Sequence, residues 1–224
     1  MTTPIVIIGA GGFGRHAHDV VDAMNASSPT YEMLGFLDDG RPDERLLHER
    51  NADLIGSVSL LEELPVDVNY VIAIGSGDVR RRIDRWATSL GRKAATLRHP
   101  SSTLGRHVAL GEGSVICSHV SIGTNVKIGR HAHINFNCTV GHDAILSDYV
   151  TAYPGANIAG NVFLGESTTV GSGAVIIQGL SVGADSTIGA SACVVRDLPS
   201  RVTAVGVPAK AETGRTDSHG WGAT

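Results

Sequence analysis

The chain repeats itself every six residues. From Leu104 to Val194 one phase reads Leu104, Leu110, Ile116, Ile122, Ile128, Ile134, Val140, Leu146, Ala152, Ile158, Leu164, Val170, Ile176, Val182, Ile188 and Val194. Fifteen of these sixteen positions carry Ile, Leu or Val, and the phase is never broken. Glycine follows the apolar anchor nine times, as at Gly105, Gly123, Gly141 and Gly165. A helix with 3.6 residues per turn cannot keep step with a period of six over such a length. A short fixed period marks a solenoid, and a hexapeptide period specifies a parallel β-helix. Three hexapeptides then form one triangular coil, and each anchor points inward onto the anchor one coil later. Neighbouring coils pair as parallel strands about 4.8 Å apart. The glycines are expected at the corners, where a positive φ is cheapest for glycine.

Composition agrees with a narrow core. Aromatic residues make up 4% of the 224-residue chain, and 28 residues are glycine. A formal net charge of −4 does not suggest a nucleic-acid partner. No apolar run is long enough to span a membrane, and the run Ile5 to Ile8, without a basic segment before it, is too short for a signal peptide. Cys117, Cys138 and Cys193 are an odd number without metal-ligand spacing. They read as free thiols of a cytoplasmic protein with no metal site.

The first 98 residues have a different grammar. Pro4 to Ile8 reads as a buried strand, Gly9-Ala-Gly-Gly-Phe-Gly14 follows, and Arg15 to Met24 reads as a helix. Gly9, Gly11 and Gly14 satisfy the G-x-G-x-x-G spacing, with Gly12 between them, and sit between strand and helix as that fingerprint requires. Backbone N–H groups at such a helix start can receive a phosphate. A strand from Met33 to Leu37 ends in Asp38-Asp39, where carboxylates can hold ribose hydroxyls or a base edge. Tyr70 to Ile74 reads as another strand and Asp78 to Gly91 as a helix whose Arg80, Arg81, Arg82 and Arg85 are expected on a solvated face. Lys93 to Leu97 is a candidate last strand. The alternation is a Rossmann-like α/β half, too short for a complete dinucleotide-binding domain. His99-Pro100 marks the junction, because the residue before proline avoids the helical region.

These features together resemble one family. A short α/β domain opening with G-A-G-G-x-G, a strand ending in Asp-Asp, an H-P junction and a hexapeptide β-helix are similar to the sugar acetyltransferases of the sialic-acid O-acetyltransferase and UDP-amino-sugar N-acetyltransferase (NeuD/PglD-like) type. The most specific segment is Ile134-Asn-Phe-Asn-Cys-Thr-Val-Gly-His-Asp143. The resemblance implies a left-handed β-helix and three regions: a nucleotide-sugar-binding α/β domain over 1–98, an acyltransferase β-helix over 99–210 and a flexible tail over 211–224. It implies acetyl-CoA as acyl donor, a nucleotide sugar as acceptor and a homotrimer with sites between adjacent helices. Asn135 matches the family's asparagine. Lys210, in Gly206-Val-Pro-Ala-Lys210, matches a frequent ending and is a candidate for the coenzyme A phosphates.

The chemistry can be argued beside the resemblance. Acyl transfer from a thioester needs a base for the incoming nucleophile and a donor for the oxyanion. His142, two residues after anchor Val140, should project from a corner. A free imidazole titrates near 6.5, which suits a base at neutral pH, and Asp143 can orient the ring. Gly160 stands eighteen residues after His142, one coil along in the same column. The family uses the amide of the aligned glycine to hold the thioester carbonyl. His107, His119, His131 and His133 are expected to be surface or interface residues. Some family members carry a second histidine where this chain has Thr151. The leading reading is N-acetylation of a nucleotide-linked amino sugar, and O-acetylation of a sugar hydroxyl is the near alternative. A non-catalytic scaffold, or a dinucleotide-dependent oxidoreductase using Gly9 to Gly14, are readings from other classes.

Overall fold

The structure, a computed structural model, describes residues 2–212. Its first part is a four-stranded parallel sheet of β1 (Thr3–Ile8), β2 (Tyr31–Leu37), β3 (Leu54–Gly56) and β4 (Asn69–Ile72), in the order β3-β2-β1-β4. Between the strands lie α1 (Gly12–Ser27), α2 (Glu44–His48), a 3-10 turn at Val58–Glu62 and, after β4, α3 (Gly77–Ser89). β1 is apolar on both faces because both are covered. Ile5 and Ile7 pack with Val20 and Val21 of α1, while Val6 and Ile8 pack with Ile83 and Ala87 of α3.

The sequence places α1, β2, β4 and α3 within a few residues of their observed bounds. It does not reveal α2 and β3, which have no clear period. Lys93 to Leu97 is not a strand of this sheet. Ala94 makes a single bridge to Tyr70, and Leu97–Arg98 pairs instead with Val115–Ile116 of the solenoid.

From Leu97 onward two-residue strands recur every six residues and pair in parallel with the strand eighteen residues on, as in Thr139↔Asn157 and Val140↔Ile158. Three sheets form the sides of a prism. The first face includes Leu97–Arg98, Val115–Ile116, His133–Ile134, Thr151–Ala152 and Thr169–Val170. The second includes Ser121–Ile122, Thr139–Val140 and Asn157–Ile158, and the third Lys127–Ile128, Ile145–Leu146 and Phe163–Leu164. The anchors Ile116, Ile134, Val140, Ile158, Val170 and Ile188 are 0–2% exposed and share one continuous core. Burying each such side chain contributes about 1.5–3 kcal/mol.

The glycines after the anchors owe their place to something other than φ. The left-handed conformation falls at the fourth hexapeptide position, on His107, His119, Asn125, Asn137, Asp143 and Asn161 among others, with φ of 56–60°. Gly105, Gly123 and Gly141 are absent from the positive-φ residues. A Cβ on Gly105 would instead stand 2.7 Å from the carbonyl carbon of Gly123, one coil above. Close stacking of backbone on backbone selects glycine there.

The α/β domain rests on the lower part of the first face. Its α1-side core runs without a break into Leu97, Val115 and Cys117. At the far end Thr203–Val205 extends the first face and Lys210–Glu212 closes it antiparallel. The remainder of the expected tail, 213–224 with Trp221, lies outside the described residues. Among the described residues no helix is long and apolar enough to cross a membrane.

Candidate active site

Two groups of the expected residues assemble, at different places. The first is on the edge between the second and third faces. His142 Nδ1 lies 2.7 Å from Asp143 Oδ2. Asp143 is in the left-handed conformation, φ 60°, which turns its carboxylate back toward the ring. Asn125, one coil below, donates from Nδ2 to Asp143 Oδ1 at 3.0 Å. The hydrogen bonds from His142 and Asn125 hold the Asp143 carboxyl below the usual carboxylate range. The tautomer that satisfies the carboxylate carries its proton on Nδ1 and leaves Nε2 as an acceptor. The His142 side chain is 51% exposed, so Nε2 is open to a substrate. The ring lies against Gly160: a Cβ there would stand 2.6 Å from His142 Nε2. An imidazole, a carboxylate hydrogen-bonded to it and the backbone of Gly160 thus share one corner.

The second group surrounds a cavity of about 440 Å³ between the glycine loop and the first face. Gly9, Gly11, Gly12, Asp38 and Asn135 line it, with Phe13, Gly75, His133, Thr151 and Tyr153. Gly11 and Gly12 present bare backbone to it, since a Cβ on either would meet nothing within 4 Å. Gly14 is buried beneath the loop, where any side chain would run into the Gly9 carbonyl. Its role is close packing of α1 on the strand end. An adjoining cavity of about 510 Å³ shares Gly9, Asp38 and Ile74 and adds Asp39, Glu62, Arg82 and Trp86.

The two aspartates are already partly engaged. Asp38 Oδ2 accepts from the Ala10 N–H and Oδ1 from the Gly40 N–H, both at 2.7 Å. It staples the glycine loop to the end of β2. Asp39 Oδ1 accepts from the Val58 N–H at 2.9 Å. Asn135 Nδ2 donates to the Ala152 carbonyl at 3.0 Å. Lys210 is exposed on the last strand, several coils from His142.

Three expectations need correcting. His107 and His119 are exposed, but His131 and His133 are 0% and 1% exposed. The α/β domain covers them. His133 stacks on Phe13 with ring centres 4.3 Å apart, and its Nε2 lies 2.9 Å from the Ile72 carbonyl oxygen. Burial, and then the Arg80 charge, push its pKa well down, so the ring is neutral. His131 Nε2 lies 2.9 Å from Asp84 Oδ1, in contact but out of line for a hydrogen bond. The third correction is Arg80. Arg82 and Arg85 are exposed as expected for a solvated face, whereas Arg80 is 0% exposed. Burial lowers its guanidinium to about 9, which leaves it charged at neutral pH.

Comparison with known proteins bears on these sites. Residues 4–87 match the PglD N-terminal domain. The chain is 31% identical over 162 residues to GDP-perosamine N-acetyltransferase of Escherichia coli O157:H7, covering 72% of each protein. It belongs to the NeuD/PglD-like sugar acetyltransferases. Two solved structures extend the likeness over nearly the whole chain. The acetyltransferase domain of PglB from Neisseria gonorrhoeae FA1090, in complex with acetyl coenzyme A, is 31% identical, with a TM-score of 0.84, covering 95% of this chain and 100% of that one. A histidine-to-asparagine mutant of perosamine N-acetyltransferase from Caulobacter crescentus, in complex with CoA and GDP-perosamine, is 32% identical, with a TM-score of 0.83, covering 94% and 97%. The protein is therefore a sugar acetyltransferase, and its solenoid is the left-handed parallel β-helix of this family.

Proposed function

We propose that this acetyltransferase transfers an acetyl group from acetyl-CoA to the amine of a nucleotide-linked amino sugar, with His142 as general base. The observation that carries the reading is the His142–Asp143 pair seated on Gly160. The amine attacks the thioester carbonyl carbon and gives a proton to His142 Nε2. Asp143 stabilises the imidazolium that forms. The Gly160 N–H donates to the oxyanion. Collapse of the intermediate expels the thiolate of coenzyme A, which takes the proton back from His142. The products are an amide on the sugar and free coenzyme A.

The acceptor is held elsewhere. The glycine loop offers bare N–H groups and the start of α1 to a diphosphate, and Asp39, Glu62 and Trp86 line the adjoining cavity for the nucleoside. Asn135, His133 and Tyr153 wall the part left for the sugar. An amine acceptor is favoured over a hydroxyl because the nucleotide cavity is formed and because two of the relatives named above are perosamine N-acetyltransferases.

In a three-sided prism the edge between the second and third faces is opposite the first face. His142 is on that edge, and the α/β domain and its cavity are on the first face. A sugar held by one chain therefore reaches His142 of a neighbouring copy. This supports a homotrimer whose sites lie between helices. A further hollow of about 330 Å³ continues from Tyr153 along Thr169, Gly171, Thr187 and Gly189. It offers the acyl donor a lane between the same two copies.

The test is thiol release from acetyl-CoA with nucleotide amino sugars, matched hydroxyl sugars and free sugars. Turnover confined to nucleotide amino sugars is expected. Equal turnover of free sugars contradicts the role of the α/β domain.

A further inference from the structure

We infer that Arg80 and Thr151 form a latch that sets the wall of the sugar cavity, and that Arg80 is a positioning residue for the acceptor. Arg80 stands in the first turns of α3, and its guanidinium turns back beneath the loop joining β4 to that helix. Nη1 donates to the carbonyls of Ile74 (2.9 Å) and Gly75 (2.8 Å). Nε donates to the His131 carbonyl at 2.9 Å. Nη2 donates to the Tyr149 carbonyl and, at 2.9 Å, to Thr151 Oγ1. Arginine has five N–H donors in a rigid fork, and here six acceptors surround them, the Val150 carbonyl being the longest contact at 3.4 Å. Two acceptors belong to the loop and four to the β-helix, so one side chain joins the two parts.

All six acceptors are uncharged. A buried cation without a carboxylate partner is costly to keep, and an apolar side chain would bridge the domains at lower cost. What an apolar residue cannot do is hold two loop carbonyls at a fixed distance from the first face. Ile74 and Gly75 line the sugar cavity beside Gly9, and Thr151 lines it from the opposite side. A Cβ on Gly75 would stand 3.4 Å from Tyr153 Oη, so the loop also borders that ring. Thr151 Oγ1 lies 3.4 Å from the Gly75 carbonyl, at the limit of a hydrogen bond, and accepts from Arg80. The hydroxyl at 151 thus has a defined task in this chain: it ties the β-helix to the loop.

The proposal rests on the reading of this cavity as the acceptor site, and the experiment separates the two. Arg80→Lys keeps the charge with three donors, and Thr151→Val keeps the shape without the hydroxyl. Hydrogen exchange of segment 73–77 in the free protein and steady-state kinetics are measured for both and for Arg80→Met. The latch predicts faster exchange in 73–77 with the β-helix unchanged. It also predicts a KM for the nucleotide sugar raised by about tenfold, with kcat and the KM for acetyl-CoA within about twofold, and Arg80→Lys milder than Arg80→Met. Unchanged exchange in both variants overturns it. So does a joint fall in kcat and both affinities with loss of the trimer, which is the signature of a merely structural joint. If the wild type uses no nucleotide sugar, the acceptor reading fails, and the exchange result alone decides whether the latch exists.

Discussion

The imidazole of His142 rests on the backbone of Gly160, one coil along, so closely that a methyl group on Gly160 would stand 2.6 Å from Nε2. Gly160→Ala must therefore turn the ring away from Asp143 or push the coils apart. Turnover should fall by about 10–10² while the assembly survives, less than the roughly 10²–10⁴ that complete loss of general acid–base catalysis costs. Kinetics and light scattering on the variant check this. An Ala variant with wild-type kcat contradicts the contact.

Asp38 and Asp39 are adjacent but should behave differently. Asp38 accepts from two backbone amides that fix the loops around it. Asp38→Ala should cost about 1–3 kcal/mol of stability, because the Ala10 amide loses its acceptor, and should also weaken nucleotide binding. Asp39→Ala gives up one exposed bond to Val58 and should change affinity more than stability. Urea titrations and calorimetry with the nucleoside diphosphate distinguish the two.

The proposed site between copies makes a genetic prediction. His142→Ala removes the proposed base, and Gly11→Trp fills the cavity without straining the backbone, since Gly11 lies at an ordinary φ of −72°. Each variant alone should be inert. Co-expressed, they should form mixed trimers that recover part of the activity, measured after separating the mixed species by two different tags. No recovery in verified mixed trimers contradicts the shared site.

Asp84 predicts a pH dependence of stability. It is buried against Arg130, Tyr149, Tyr70 and His131. Burial raises its pKa, and the contacts with His131, Arg130 and Tyr149 more than reverse that, holding it well below the usual carboxylate range. A carboxyl depressed in the folded state stabilises the fold above its unfolded pKa of about 3.9. That contribution is lost as pH falls through the folded value. Asp84→Asn should lose about 3–5 kcal/mol at pH 7 and show a shallower decline below about pH 4. Urea midpoints across pH 3–7 test both parts, and parallel curves contradict the assignment.

The solenoid was legible because every inward residue obeys one period. The period also fixed the register, so His142 and Gly160 could be paired by counting eighteen. Contacts between the two parts were not legible. His131, His133 and Arg80 belong to surfaces that become interior only when the α/β domain lies on the first face. A trace of this existed in the outward column Leu97, Val115, His133 and Thr151, which carries no charge and is 0–2% exposed. The third face, by contrast, shows Lys127 at the same place, exposed. In the sequence the glycine column reads as a φ requirement, because sequence does not distinguish a residue chosen for φ from one chosen for lack of a side chain. Asp38 and Asp39 were visible as carboxylates at a strand end, but their bonds to Ala10, Gly40 and Val58 depend on loops without a period.

The most direct test is the rate of thiol release from acetyl-CoA by the wild type and by His142→Ala, with GDP-, UDP- and TDP-linked amino sugars as acceptors. Release with at least one of them, reduced by about 10²–10⁴ in the variant with the assembly unchanged, is the predicted result. Equal rates in the two proteins, or release only with hydroxyl sugars, would contradict an amine acetyltransferase that uses His142 as its base.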